Sequence, residues 1–118
     1  MNKTIFYDKE NDILSIHKGF SSDEKFKGNI DAGNLVLDVS TRGRIRGIEI
    51  MNASNFLKEF FKGFKLEQIL ENITDAEFNT SIKPESISIG ILFKAKNIEN
   101  EIPAKIVAIP INERLVVC

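Results

Sequence analysis

Residues Arg42 to Ile50 read RGRIRGIEI: three arginines and two glycines, then a glutamate between two isoleucines. This stretch decides the fold, because Ile45, Ile48 and Ile50 do not share the period of two that places side chains on one face of a strand. A phase slip lies between 45 and 48. A β-bulge at Arg46-Gly47 absorbs the extra residue, returns all three isoleucines to one face, and uses glycine where a side chain is unwelcome. Glu49 then points away from the isoleucine face, where Arg44 or a basic side chain on a neighbouring strand is its expected partner.

Upstream, Leu35 to Val39 (LVLDV) and the turn Ser40-Thr41-Arg42-Gly43 complete a hairpin with this strand, Gly43 suiting the left-handed position that closes the turn. An earlier hairpin pairs Thr4 to Tyr7 (TIFY) with Ile13 to His17 (ILSIH) across the polar turn DKEND. The stretch SSDEKFKGNIDAGN between the two hairpins reads as a charged loop.

Downstream the period changes. Phe56, Leu57, Phe60, Phe61 and Phe64 recur at helical spacing, Gly63 ends or bends that helix, and Leu66, Ile69, Leu70 and Ile73 form a second helical pattern. Alternation returns with Phe78, Thr80 and Ile82, then a turn at Lys83-Pro84-Glu85-Ser86, then Ile87, Ile89, Ile91 and Phe93. A polar loop, KNIENEIP, leads to a strand at Lys105 to Ile109, and Asn112-Glu113-Arg114 turns the chain into a last strand, LVVC. The expected fold is α+β, with antiparallel β-hairpins in two β-rich halves flanking a pair of short helices, as one domain over residues 1–118.

The chain's 118 residues can bury roughly two thirds of the unfolded surface. Sixteen Lys and Arg against seventeen Asp and Glu give a net charge of -1, so no global field draws the chain to nucleic acid or to an anionic membrane. The single cysteine, Cys118, supplies neither an internal disulfide nor a thiolate zinc site. With no apolar run long enough for a signal peptide or a membrane span, a cytoplasmic protein is expected.

Tyr7-Asp8, Asp12, the alternating Leu14 and Ile16, Leu35 to Asp38, Gly43, Gly47-Ile48-Glu49-Ile50 and Ala53-Ser54 occur in an order and spacing that resembles a family of small bacterial and archaeal proteins classed as a domain of unknown function, number 2283. The resemblance covers about residues 4 to 57, and GIEI followed by AS is its most specific part. It implies a fold rather than an activity, since the family brings no catalytic residues with it. Some members resemble parts of two-gene modules beside candidate toxins, which implies an antitoxin-like or protein-binding role. Residues 58–118 lie outside the resemblance and form an extension integral to the fold.

Individual residues narrow the function classes. Asp8, Glu10 and Asp12 alternate like the start of a calcium loop, but Ile13 stands where that loop needs glycine and Gly19 where it needs glutamate, so Asp8 and Asp12 are expected to shape a turn. There is no G-x-G-x-x-G and no GK[ST], and neither metal nor cofactor is expected. His17 is the chain's one histidine; Asp38 and Glu49, joined by His17 in a cleft, form the alternative reading as a hydrolase or small-ligand enzyme. Arg42, Arg44 and Arg46 alternate, and such a row can engage a partner's carboxylates or, as a third reading, nucleic-acid phosphates. The leading expectation is a non-enzymatic protein that self-associates, a dimer favoured, and binds another protein in a regulatory or antitoxin-like way.

Overall fold

The computed structural model describes residues 3–61 and 65–110. Strands β1 (Thr4–Asp8), β2 (Ile13–His17), β3 (Phe26–Ala32), β4 (Leu35–Ser40) and β5 (Ile45–Met51) form an antiparallel sheet in the order β1-β2-β5-β4-β3. A short helix α1 (Ala53–Phe56), continued by a 3-10 turn over Leu57–Glu59, and a second helix α2 (Leu66–Glu71) follow. Then β6 (Ile73–Ile82), β7 (Ile87–Ala95) and β8 (Ile102–Ala108) build a second antiparallel sheet in sequence order. This is the expected α+β order, mostly β with minor α. Among the described residues no helix is long and apolar enough to cross a membrane.

Register explains the irregular isoleucines. Val39 pairs with Ile45, yet the adjacent Asp38 pairs with Gly47, so Arg46 is the extra residue of a bulge in β5. Ile45, Ile48 and Ile50 are all buried beneath the sheet, and Glu49 is on the other face. The same inner face carries Leu14, Ile16, Leu35 and Leu37, and joins one continuous core with Phe78, Ile89, Ile91 and Phe93 of the second sheet. Phe61 meets Phe93 edge-on at 5.2 Å between ring centroids. Fully burying each such side chain contributes about 1.5–3 kcal/mol.

Four expectations need correction. β3 runs through the stretch read as a charged loop, because only Gly28 and Ile30 of that strand are buried and the positions around them are polar or exposed. An end strand of this kind carries almost no apolar period, so only its pairing with β4 reveals it. The aromatic helix shrinks to one turn of α1 and a 3-10 turn, with Leu57 and Phe61 buried and Phe56 and Phe60 partly so. Ile73 opens β6 rather than closing a helix, and β8 begins at Ile102, taking in Pro103 at the end of the sheet order. The proposed roles of Gly63, Phe64, the 112–114 turn and the last strand LVVC fall outside the described residues.

One carboxylate ties the first hairpin to the helices. Asp12 closes the β1–β2 turn at a positive φ of 55°, where its carboxylate accepts hydrogen bonds from the Tyr7 hydroxyl at 2.6 Å and from the Ser54 N–H and hydroxyl at 3.0 and 2.7 Å. Its carbonyl accepts the Ala53 N–H at 3.0 Å, so the start of α1 hangs on this turn. Burial alone pushes the Asp12 carboxyl up, but the hydrogen bonds from Tyr7 and Ser54 outweigh it and hold the group below its usual range. Burial, then the bond to Asp12, pushes the Tyr7 phenol up to about 12.

Tyr7 is the chain's one tyrosine and there is no tryptophan, so phenolate absorbance reads this site alone. The folded protein is expected to titrate near 12. Because the folded value is raised, the neutral phenol stabilises the fold fully below about 10 and loses that contribution as pH rises through about 12. Asp12→Asn lowers the midpoint toward about 10 and, by weakening hydrogen bonds to a charged acceptor, costs about 1–3 kcal/mol in urea unfolding.

Candidate functional site

The bulge sets up the outer face of the five-stranded sheet. One row across it reads Thr4, His17, Gly47, Asp38 and Asn29, and the next reads Phe6, Ser15, Glu49, Val36 and Asp31. His17, Asp38 and Glu49, the three candidate site residues of the enzyme reading, therefore share one sheet face. His17 Nε2 stands 3.8 Å from Asp38 Oδ2 across Gly47, whereas Glu49 lies in the neighbouring row between Ser15 and Val36.

Local geometry fixes the histidine's proton. His17 Nδ1 accepts the Gly19 N–H at 2.8 Å, so the ring of a neutral His17 carries its hydrogen on Nε2, facing Asp38. With Nδ1 engaged and Nε2 protonated, the neutral ring can donate a hydrogen bond but has no free lone pair with which to act as a base. The Phe20 ring packs edge-on to the imidazole at 4.9 Å. Burial pushes the Asp38 carboxyl above its usual range, with His17 pulling the other way.

Asp8 and Asp12 are elsewhere, in the β1–β2 turn. Asp8 accepts the Asn11 N–H at 3.1 Å and the Asn11 side-chain amide at 2.8 Å, a turn-shaping pattern. Among the described residues no three His, Cys, Asp or Glu side chains are grouped as a metal site would need.

Arg42, Arg44 and Arg46 converge on the loop before β3. Arg42 and Arg44 lie 3.5 and 3.3 Å from Asp23, Arg44 Nε is 3.3 Å from Glu24, and Arg46 Nε is 3.2 Å from Glu24 while donating to the Gly19 carbonyl at 2.8 Å. The expected pairing of Arg44 with Glu49 is replaced by these contacts, because Glu49 lies between Ser15 and Val36 on the outer face. Glu24 is the residue the sequence reading passed over: its side chain is fully buried and accepts the Ser21 N–H at 2.8 Å. A signal for it was available in Ser21-Ser22-Asp23-Glu24, which has the S-x-x-E spacing of a side chain reaching back to a backbone N–H.

The Ser21 N–H foremost, then the Ser40 hydroxyl and the two guanidinium groups, outweigh burial and hold the Glu24 carboxyl down at about 2. A folded value below the ordinary one means that the unfolded chain binds the proton more tightly. The stability that Glu24 contributes is thus present at neutral pH and lost as pH falls from about 4.5 through about 2. Glu24→Gln is expected to lower the urea midpoint at pH 7 and to flatten the acid limb of the stability profile followed by circular dichroism.

Gly47 makes a steric prediction. A Cβ there would stand 2.5 Å from His17 Cδ2 and 2.6 Å from Asp38 Oδ2, and the imidazole cannot retreat without breaking its bond to Gly19. Gly47→Ala is expected to cost about 1–3 kcal/mol by overpacking. The cost should shrink in an Asp38→Ala background, a coupling that a double-mutant cycle reads directly.

Comparison with known proteins bears on residues already placed in this geometry. No curated protein matches the chain, and no solved structure does. Tyr7, Asp12, Asp38, Gly47, Ala53 and Ser54, which carry the sequence resemblance, all lie in the segment that a family model matches. Residues 4–54, the N-terminal part of the chain from β1 to the start of α1, match the family described as Protein of unknown function (DUF2283).

Proposed function

We propose that this chain is a small non-enzymatic protein-binding module with a regulatory role, which receives a different protein on the outer face of its five-stranded sheet. The observation that carries this reading is the make-up of that face. Its two central rows hold three carboxylates, Asp31, Asp38 and Glu49, with no lysine or arginine, beside Phe6, which is 65% exposed. A large ring left in water beside half-buried Ser15 is the kind of anchor that protein interfaces use.

The charge pattern selects the partner's chemistry. A surface with lysines or arginines around an apolar socket would complement these rows. The engagement of His17 Nδ1 by the Gly19 N–H favours this reading over hydrolysis, and the pairing of Arg42, Arg44 and Arg46 with Asp23 and Glu24 favours it over phosphate binding.

The test recovers tagged full-length protein from its own cell lysate at two salt concentrations, as wild type and as Phe6→Ser and Glu49→Lys. Neither side chain belongs to the core, so both variants should keep the wild-type circular dichroism. The expected result is a stoichiometric protein that is weakened by salt and released by both substitutions, Phe6→Ser costing about 2 kcal/mol of affinity. Equal recovery by wild type and variants, recovery of the chain alone, or salt-sensitive nucleic acid in place of a protein would overturn the reading.

A further inference from the structure

A second site lies away from that face, where the end of β2 approaches β6. A cavity of about 440 Å³ there brings together Lys3, Lys18 and Lys105 and takes its accessible apolar lining from Leu92 and Pro103, over the buried Phe78 and Ile91. Its size falls in the range of small-molecule sites.

The three lysines are not equivalent. Lys3 is held by Asp75 at 2.7 Å and by Glu77 at 3.8 Å. Lys18 instead places its Nζ 4.3 Å from the centroid of the Phe78 ring, and among the described residues no carboxylate pairs with it. Its backbone is fixed, since the Lys18 N–H donates to the Arg46 carbonyl at 2.8 Å, continuing the β2–β5 ladder. Burial, then the charge of Arg46, works against the ammonium, and Glu77 only partly offsets them. A partly desolvated cation held by a ring quadrupole alone is a group whose missing counter-charge a ligand can supply.

We propose that this cavity binds a small amphipathic carboxylate, its head group on Lys18 and its hydrocarbon body along Leu92 and Pro103. The carboxylate forms a charge-assisted hydrogen bond that a neutral head group cannot match, and the apolar walls favour an alkyl or aryl chain over a compact polar anion. Lys105 adds a second positive charge at the cavity, and Glu77, whose charge also reaches Lys18, lies 3.8 Å from Lys3. The site needs both parts of the chain: Lys18 comes from the family segment and Leu92, Pro103 and Lys105 from the remainder.

Titration of octanoate and of 1-octanol into the ¹⁵N-labelled full chain, followed by amide chemical shifts, tests this without any variant. Octanoate is expected to give saturable shifts at Lys18, Asn79 and Gly90, and to bind about tenfold more tightly than the alcohol, the scale of one charge-assisted hydrogen bond. Lys18→Met should abolish the preference for the acid, and Lys18→Arg should keep it. Absence of saturable shifts, equal affinity for acid and alcohol, or an unchanged preference in Lys18→Met would overturn the proposal. Because Phe6 and Glu49 are not among the cavity residues, Phe6→Ser retains octanoate binding, so failure of the protein-binding reading and failure of this one are separable.

Discussion

The extra residue in β5 is the constraint on which the first sheet depends. Without the bulge at Arg46, the period of two would send either Ile45 or the pair Ile48 and Ile50 out of the core, and one continuous inner face would not exist. The bulge also decides what happens on the outer face. It brings Gly47 into line between His17 and Asp38, where a bare backbone lets the two side chains close to 3.8 Å. The arginine so displaced reaches Glu24 and the Gly19 carbonyl, fastening the loop that precedes β3. One inserted residue thus sets core packing, a cross-strand pair and a loop anchor together.

Two carboxylates then hold the connections that strand pairing cannot. Asp12 joins the first turn to the helical segment, and Glu24 gathers the alternating arginines around the second connection. Both are stabilised as anions by aligned donors, which is why groups that look like surface charges in the sequence become fixed points of the fold. Several residues of the matched segment 4–54 have their place explained in this way. Tyr7, Asp12 and Ser54 form one hydrogen-bonded cluster, Asp38 and Gly47 form a steric one, and neither requires a reaction.

The two proposed binding regions divide the chain's surface in a way that follows from this frame. The outer face belongs wholly to the family segment, is open, and combines carboxylates with an exposed phenyl ring. The cavity arises only where the second sheet meets the first, so residues 58–118 contribute a concave site as well as core.

The sequence by itself determined the hairpin order, the bulge, the two helical interruptions, the turn at Lys83 to Ser86 and the alternation of β7, because each is written in local periodicity or turn chemistry. It also placed the family segment. Tertiary structure alone decided the rest. β3 is recognisable only beside β4, since a strand with one buried isoleucine carries no pattern of its own. The aromatic helix shortens because Leu57 and Phe61 reach the core within a turn or so, and packing rather than helical period sets where the chain bends. The arginine row, legible as a charged strip, proves to be a set of intramolecular pairs, because its partners lie about twenty residues away in the chain and meet it only after β4 and β5 have paired. Proximity of His17 to Asp38, and of Lys18 to Phe78, is likewise a product of register and sheet packing, which residue types do not encode.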